Sequence, residues 1–305
     1  MKPLTNLKKT QILRNIFLSL GAIFALAITA HAQNLYVSAN APGSHKIFEF
    51  TPFGVQSTYA SGLDNPRGLA FDSIGNLFAT TAHEADNIEI GRVLKFNLRN
   101  KVSTFGSAAK FFFEGLAIDI AGNVYVMAND DNSPVGAGTI FKFTPSGERI
   151  VFGSIPGQGW GLAFDSAGYY LYAADGGDQT IYKFAPDGTR TVFVGPSAFN
   201  AGESPVGLAF DSNGNLFVSI ETFSDPGADS IVYFTTPGGM KNPFASGLTF
   251  PRGLAFDSSS QYLFVAEANA IPTGRILKFP SGGGSYTVFA SGFGRPEFLT
   301  FGPPR

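Results

Sequence analysis

Five side chains that could bind a charged ligand occupy one position of a repeated motif. Each directly precedes a repeated glycine, or Phe298 in the weakest copy, and together they are Arg67, Glu114, Trp160, Arg252 and Glu297. Val206 takes this position in the remaining copy. Arginine pairs with carboxylates through two parallel hydrogen bonds, and a tryptophan ring offers a flat apolar wall. The set therefore fits either a ring of Arg–Glu pairs that closes on itself or a site that captures an anionic ligand.

A second set of polar residues follows the second apolar segment of each copy, and we call it the rim: Asn40, His83, Asn129, Asp175, Glu221 and Glu267. Its oxygens could complete a calcium site, because Ca²⁺ takes about six to eight oxygen ligands. The neighbouring run from Asn129 to Asn132 lacks the alternating aspartates of a calcium loop and is typical of a solvated loop. The sequence contains no nucleophile elbow, zinc-protease motif or phosphate-binding loop, so it identifies no reaction.

The repeat predicts the elements that position these residues. Gly-Leu-Ala-Phe begins at Gly68, Gly161, Gly207 and Gly253, with variants at Gly115 and Phe298. Three further apolar segments follow in each copy, all four to six residues long, rich in β-branched and aromatic residues and bounded by turn residues, which is typical of strands. Four strands in each of six copies of about 46 residues predict an all-β, six-bladed β-propeller with four-stranded antiparallel blades.

The two ends of the repeat array predict how the ring closes. The array starts with a second strand at 34–37 and ends with a first strand at 298–301. Pairing of these strands in one blade would leave no long sheet edge exposed. We therefore expect one domain, residues 33–305.

The connections predict which face of the propeller binds. Short, uniform turns such as Asp72–Asn76 and Thr51–Gly54 lie at one end of the strands, which we call the bottom face. Longer and more variable connections lie at the other end, the top face, which also carries the residue before each repeated glycine. Because variable loops on a rigid scaffold usually carry binding, we expect the site at the top face.

Composition excludes several other classes of protein. The chain has 305 residues, no cysteine, 21 basic and 23 acidic side chains, and a net charge of −2. The absence of cysteine rules out disulfides and thiolate metal sites. The lack of a basic excess disfavours nucleic-acid binding, and the 37 glycines and 19 prolines disfavour a helical bundle.

The first 32 residues predict export. Lys2, Lys8, Lys9 and Arg14 precede an apolar stretch from Ile16 to Thr29, and Ala30-His31-Ala32 forms a small-x-small cleavage motif. The alternative is an uncleaved membrane anchor, although the stretch is shorter than the roughly 20 residues that span a bilayer. We expect a secreted or periplasmic monomer that does not contact a membrane after the signal is removed.

The repeat resembles the NHL repeat and the wider superfamily of senescence-marker and gluconolactonase-like propellers. The resemblance rests on Pro-x-Gly-Leu-Ala-Phe-Asp-Ser-x-Gly-Asn-Leu-Phe-Val followed by Arg/Thr-Ile-x-Lys-Phe, and it covers nearly all of residues 33–305. It implies a six-bladed propeller, a fold that hosts both enzymes and binding modules. In gluconolactonase-like relatives, acidic and amide residues at these positions hold a divalent metal.

Two functions are open, the first from the residues themselves and the second from this resemblance. The first is a module that binds a small anionic or sugar-like ligand, or a protein, at the top face. The second is a lactonase-like hydrolase with Ca²⁺ or Zn²⁺ held by Glu114 and Glu297, helped by Asp175 or Asn129. Arg67 and Arg252 flank these carboxylates in the ring and oppose the charge that a cation needs, which favours the binding module.

Overall fold

The computed structural model describes residues 33–41, 45–85, 88–130, 137–222, 225, 227–236, 239–268 and 274–304, without the side chains of 83–85. The predicted signal at 1–32 lies outside these ranges, as do parts of the top-face loops, including Asp131 and Asn132. Within the described ranges, no helix is long and apolar enough to cross a membrane. The helix that is present is a single 3-10 turn, Pro196–Ala198.

Short strands account for most of the described chain. In the first half of the chain they are β1 (Leu35–Ala39), β2 (Lys46–Phe50), β3 (Gln56–Ser61), β4 (Leu69–Phe71), β5 (Leu77–Ala85), β6 (Ile88–Phe96), β7 (Val102–Ala109), β8 (Phe111–Ile118), β9 (Val124–Asp130), β10 (Gly138–Phe143), β11 (Arg149–Ile155) and β12 (Gly159–Phe164). In the second half they are β13 (Leu171–Asp175), β14 (Thr180–Phe184), β15 (Arg190–Val194), β16 (Glu203–Phe210), β17 (Leu216–Thr222), β18 (Asp229–Phe234), β19 (Lys241–Leu248), β20 (Pro251–Phe256), β21 (Tyr262–Glu267), β22 (Arg275–Pro280), β23 (Thr287–Ser291) and β24 (Pro296–Phe301). Every predicted strand segment overlaps one of these strands, and several of the predicted segments begin one residue too early, as at Gly68 and Asn76.

The strands form antiparallel sheets that are predominantly four-stranded. Four sheets have the orders β24-β1-β2-β3, β12-β13-β14-β15, β16-β17-β18-β19 and β20-β21-β22-β23. The strands from β4 to β11 form one eight-stranded sheet, in which a single parallel bridge between Ile90 and Phe111 joins β6 to β8. The chain therefore has the all-β, antiparallel blade pattern of a β-propeller.

The first and last strands pair as predicted. Strand β1 lies antiparallel to β24, with Leu35 opposite Phe301 and Val37 opposite Leu299. The Gln33 side chain also donates a hydrogen bond to the Gly302 carbonyl at 2.6 Å. This sheet thus combines both ends of the described chain.

The apolar core lies between neighbouring sheets. One cluster combines Tyr36 and Ile47 of the β24–β3 sheet with Leu69 and Leu77 of the next sheet. The Tyr36 ring packs edge-on against Phe71, with centroids 4.9 Å apart. Consecutive buried residues in the second strands, as in β1 and β13, therefore fill the space on both faces of a sheet.

The bottom-face turns have the predicted chemistry. Asp72 Oδ1 accepts hydrogen bonds from the backbone N–H of Ile74 at 3.1 Å and of Asn76 at 2.8 Å. Gly75 has φ +91°, a conformation that side chains with a Cβ rarely adopt. The Asp72 carboxylate is therefore used by its own turn, as the sequence predicts.

Candidate functional site

Three hydroxyl groups hold the residues that surround the propeller axis. Thr80 Oγ1 accepts the backbone N–H of Gly68 at 2.7 Å and donates to the Glu114 carbonyl of the next first strand at 2.5 Å. Ser219 joins Gly207 to the Arg252 carbonyl in the same way, at 2.7 Å on each side. Ser38 donates to the Arg67 carbonyl at 2.5 Å. The backbones of Arg67, Glu114 and Arg252 are therefore fixed by second strands of neighbouring sheets.

Six charged residues meet at this level, and we call them the axial cluster: Arg67, Glu114, Glu221, Arg252, Arg295 and Glu297. Arg252 Nη1 is paired with Glu297 Oε2, and Arg252 Nε lies 2.8 Å from Glu221 Oε1. The Arg252 guanidinium also lies over the Trp160 ring, 5.3 Å from its centroid. Arg252 is buried, so its charge is compensated by these carboxylates and not by solvent.

Arg67 connects the two carboxylates on either side of it in the ring. Its Nη1 lies 3.3 Å from Glu297 Oε2 and 3.5 Å from Glu114 Oε2. Its guanidinium lies over the Phe112 ring, 5.0 Å from the centroid. Arg67 was predicted to lie between Glu114 and Glu297 in the ring, and in the structure it contacts both of them.

Burial leaves some of these charges incompletely compensated. Glu114 Oε2 and both carboxylate oxygens of Glu221 accept no well-aligned hydrogen bond within the described residues. Burial raises the pKa of Glu114 to about 7, against the opposing attraction of Arg67. Glu297 and Glu221 add to the rise, and Arg252 opposes it. Glu114 therefore changes its charge near neutral pH.

We expect this ionisation to make the protein less stable as pH rises. The folded protein holds the Glu114 proton more tightly than the unfolded chain, so stability is fully present below pH 4.5 and is lost as pH rises to about 7. Above about pH 7, the free energy of unfolding is lower by about 3 kcal/mol than below pH 4.5. Glu114→Gln removes this group, and should therefore be more stable than the wild type at pH 8 and similar to it at pH 4.5. The free energy of unfolding of both proteins, measured in urea at the two pH values, tests this prediction. If Glu114→Gln differs from the wild type by the same free energy at both pH values, the prediction is wrong.

The rim residues are largely buried and bind backbone groups. The Asn129 side chain makes two hydrogen bonds of 2.9 Å to the backbone of Gly159 in the next sheet. Asp175 accepts the N–H groups of Gly157 and Asp178, both at 2.9 Å. Glu267 accepts the Thr249 N–H at 3.0 Å and pairs with Arg275. Gly157, Gly159 and Thr249 lie at or just before the first residues of β12 and β20, so these side chains hold the backbone where those first strands begin.

The remaining rim residues have separate positions. Glu221 belongs to the axial cluster, and Asn40 donates to the side chain of Asn65. His83 lies in β5, but its side chain is outside the described part of the structure. The structure therefore brings Glu221 to the axis and leaves Asn40, Asn129, Asp175 and Glu267 in backbone or side-chain contacts around it.

The residues predicted to hold a divalent metal do not fit that role. Both oxygens of Glu297 contact arginines, since Arg295 Nε lies 3.2 Å from Oε1 and Oε2 contacts Arg67 and Arg252. Asp175 is used by backbone amides outside the axial cluster. Across the described ranges, no group of three or more His, Asp or Glu residues is arranged to hold a metal ion.

Two features of the axis differ from the sequence-based description. The Trp160 ring is buried in the apolar core beside Tyr172 and Val206, so it does not present an open stacking wall. Arg295, which the sequence analysis missed because it lies two residues before the ring position of Glu297, has a side chain that is 39% exposed. It is the most exposed cation of the axial cluster.

Comparison with known proteins supports the fold. No model of a protein family matches the chain, and no curated protein matches its sequence. Among solved structures, TolB from Acinetobacter baumannii is similar over 89% of this chain and 67% of its own, with a TM-score of 0.69 and 11% identity.

Two further solved structures resemble nearly the whole chain. One is a chain of a nidogen–laminin complex, with a TM-score of 0.62, 15% identity, and 90% of this chain and 99% of that chain covered. The other is the periplasmic gluconolactonase PpgL of Pseudomonas aeruginosa, with a TM-score of 0.60, 13% identity and coverage of 90% and 100%. At these identities the likeness shows a β-propeller and no particular activity.

Proposed function

We propose that this chain is an exported, six-bladed β-propeller of the NHL type that binds an anionic or sugar-like ligand, or a protein, through its top face. The count of six treats the eight-stranded sheet as two blades joined by one bridge, in agreement with the six copies of the sequence repeat. Export rests on the signal-like residues 1–32. The neighbours include a nidogen chain found with laminin and a gluconolactonase, so the fold is compatible with binding and with hydrolysis.

The axial cluster is the observation that favours binding. Each of its carboxylates lies within 3.5 Å of an arginine nitrogen, and this positive charge opposes the binding of a metal that would polarise a lactone carbonyl. Arg295 remains exposed at the mouth, and its planar guanidinium is suited to a carboxylate. A ligand with a carboxylate group therefore fits this face better than a metal-activated substrate does.

Calorimetric titration with D-gluconate tests the proposal. We expect saturable binding that Arg295→Gln weakens about tenfold, since one charge-assisted contact is worth roughly 1.5–3 kcal/mol. Arg99→Gln, which removes an exposed arginine from the bottom face, serves as the matched control and should leave the affinity unchanged.

The same samples separate binding from catalysis. Hydrolysis of D-glucono-δ-lactone well above the buffer rate would replace the proposal with the lactonase-like function. If the protein does not bind gluconate, or if Arg295→Gln leaves the affinity unchanged, the proposal that the top face binds a ligand with a carboxylate group is wrong.

A further inference from the structure

Large apolar side chains are exposed at the tips of several bottom-face turns, most of them in the sheets that contain β1 to β15, and Met240 in the β18–β19 connection is a further one. Those in the sheets that contain β1 to β15, which we call the apolar tips, are Phe53, Ile74, Leu98, Ile120 and Tyr169, and their exposed fractions range from 56% to 88%. Turn chemistry does not require them, because the corresponding turns elsewhere carry Ser146, Asp187, Asn213 and Ser259. The apolar tips come from the sheets that contain β1 to β15, which follow one another around the ring.

Four of the apolar tips lie near one another in two pairs, Ile74 with Leu98 and Ile120 with Tyr169. Leu98 Cδ2 and Pro303 Cγ lie 3.0 and 3.4 Å from the position that a Cβ on Gly75 would take, next to Ile74. Ile120 Cγ2 lies 3.5 Å from the corresponding position on Gly168, next to Tyr169. An apolar surface of this kind, exposed in a chain with a folded core, marks an interaction site.

The charged groups around the apolar tips are suited to lipid headgroups. Arg99 follows Leu98 directly, Lys101 is three residues after it, and both are exposed. The aspartates of the same turns keep their negative charge, but their oxygens bind the backbone of their own turns, as Asp119 Oδ1 does with the N–H groups of Ala121 and Asn123 at 3.0 and 2.8 Å. Basic residues beside exposed apolar ones favour binding to the surface of a bilayer.

The path of the chain points to the same partner. Gln33 lies at the bottom face, hydrogen-bonded to Gly302, and the apolar stretch Ile16–Thr29 precedes it by only three intervening residues. These residues span at most about 14 Å. While that stretch is in a membrane, the bottom face is held close to the bilayer.

We propose that the bottom face docks on a lipid bilayer, with the apolar tips in the interfacial region and the top face directed away from the membrane. This proposal departs from the sequence-based expectation of a protein without membrane contact after signal removal. It does not depend on the function assigned to the top face.

Site-specific fluorescence tests the docking. Trp160 is the chain's single tryptophan, so a Trp160→Phe background can carry either Leu98→Trp or the matched control Asn213→Trp. The protein is purified in the form that the cell produces. It is then added to phosphatidylcholine–phosphatidylglycerol vesicles whose acyl chains are brominated. We expect at least twofold quenching at position 98 and none at position 213, whether or not residues 1–32 are retained.

A partition measurement supplies the second arm. In the exported form, Leu98→Ser with Ile120→Ser should lower the vesicle partition coefficient at least tenfold. Val151→Ser with Val192→Ser, which removes two exposed valines from outer strands, should not. Equal quenching at both positions, no quenching at position 98, or a soluble dimer that the tip substitutions dissociate would overturn the proposal; the last outcome would assign the face to a second copy of the chain.

Discussion

Replacing Gly207 with alanine is expected to destabilise the protein by at least about 4 kcal/mol, or to prevent folding. A Cβ at this position would overlap the Arg252 carbonyl oxygen and stand 2.9 Å from both the Arg252 carbonyl carbon and Ser219 Oγ. These atoms belong to a hydrogen-bonded bridge between neighbouring first strands. Neither the backbone nor the bridge can move without separating the sheets. Denaturant unfolding measures the loss.

Gly282→Ala is the matched control for this prediction. A Cβ on Gly282 would meet no atom within 4 Å, and its backbone is not in the left-handed region. We expect a change within about 0.5 kcal/mol. If Gly207→Ala were tolerated equally well, the first strands would lie farther apart than the structure places them.

Replacing Arg252 with methionine is expected to cost about 3–5 kcal/mol. Methionine keeps an apolar stem beside Trp160 but leaves the buried Glu221 and Glu297 without their shared cation. Because protonation neutralises stranded carboxylates, the loss should shrink as pH falls toward 5. Unfolding measured at pH 5 and pH 8 tests both the size and the direction of the effect.

The exposed pair of Arg92 and Asp64 provides the comparison. Its closest N–O distance is 3.9 Å and both side chains are exposed to solvent, so Arg92→Met should cost less than about 1 kcal/mol. Adding Glu221→Gln to Arg252→Met should recover part of the loss. An Arg252→Met loss as small as that of Arg92→Met would show that the axial cluster does not stabilise the ring.

The sequence was sufficient to predict the strands, because each property that defines them is local. Short segments rich in β-branched and aromatic residues, Asp-x-x-Gly turns and the 46-residue period specify strand, turn and repeat without knowledge of distant contacts. The pairing of β1 with β24 also followed from the order of strand types. The contacts of Arg67 with Glu114 and Glu297 followed from their adjacency in the ring.

The features that were missed depend on contacts between sheets. Glu221 was placed in the rim, but it reaches Arg252 because a second strand of one sheet packs beside the first strand of the next. Ser38, Thr80 and Ser219 occupy one repeat position where other copies have Met127, Ala174 and Ala266. In the sequence, each of these residues is visible only as a hydroxyl group in an apolar strand. The carbonyl group to which it donates belongs to another copy of the repeat. The burial of Trp160 likewise depends on packing against Tyr172 and Val206.

Calorimetric titration of the protein with Ca²⁺ and with Zn²⁺ tests the central claim most directly. If arginines occupy the axial carboxylates, neither ion will give saturable heat at concentrations up to about 1 mM. Lactone hydrolysis by the protein will then stay at the buffer rate with either ion present. Stoichiometric binding of one ion that Glu297→Gln abolishes would contradict the claim and would make the axial cluster a metal site.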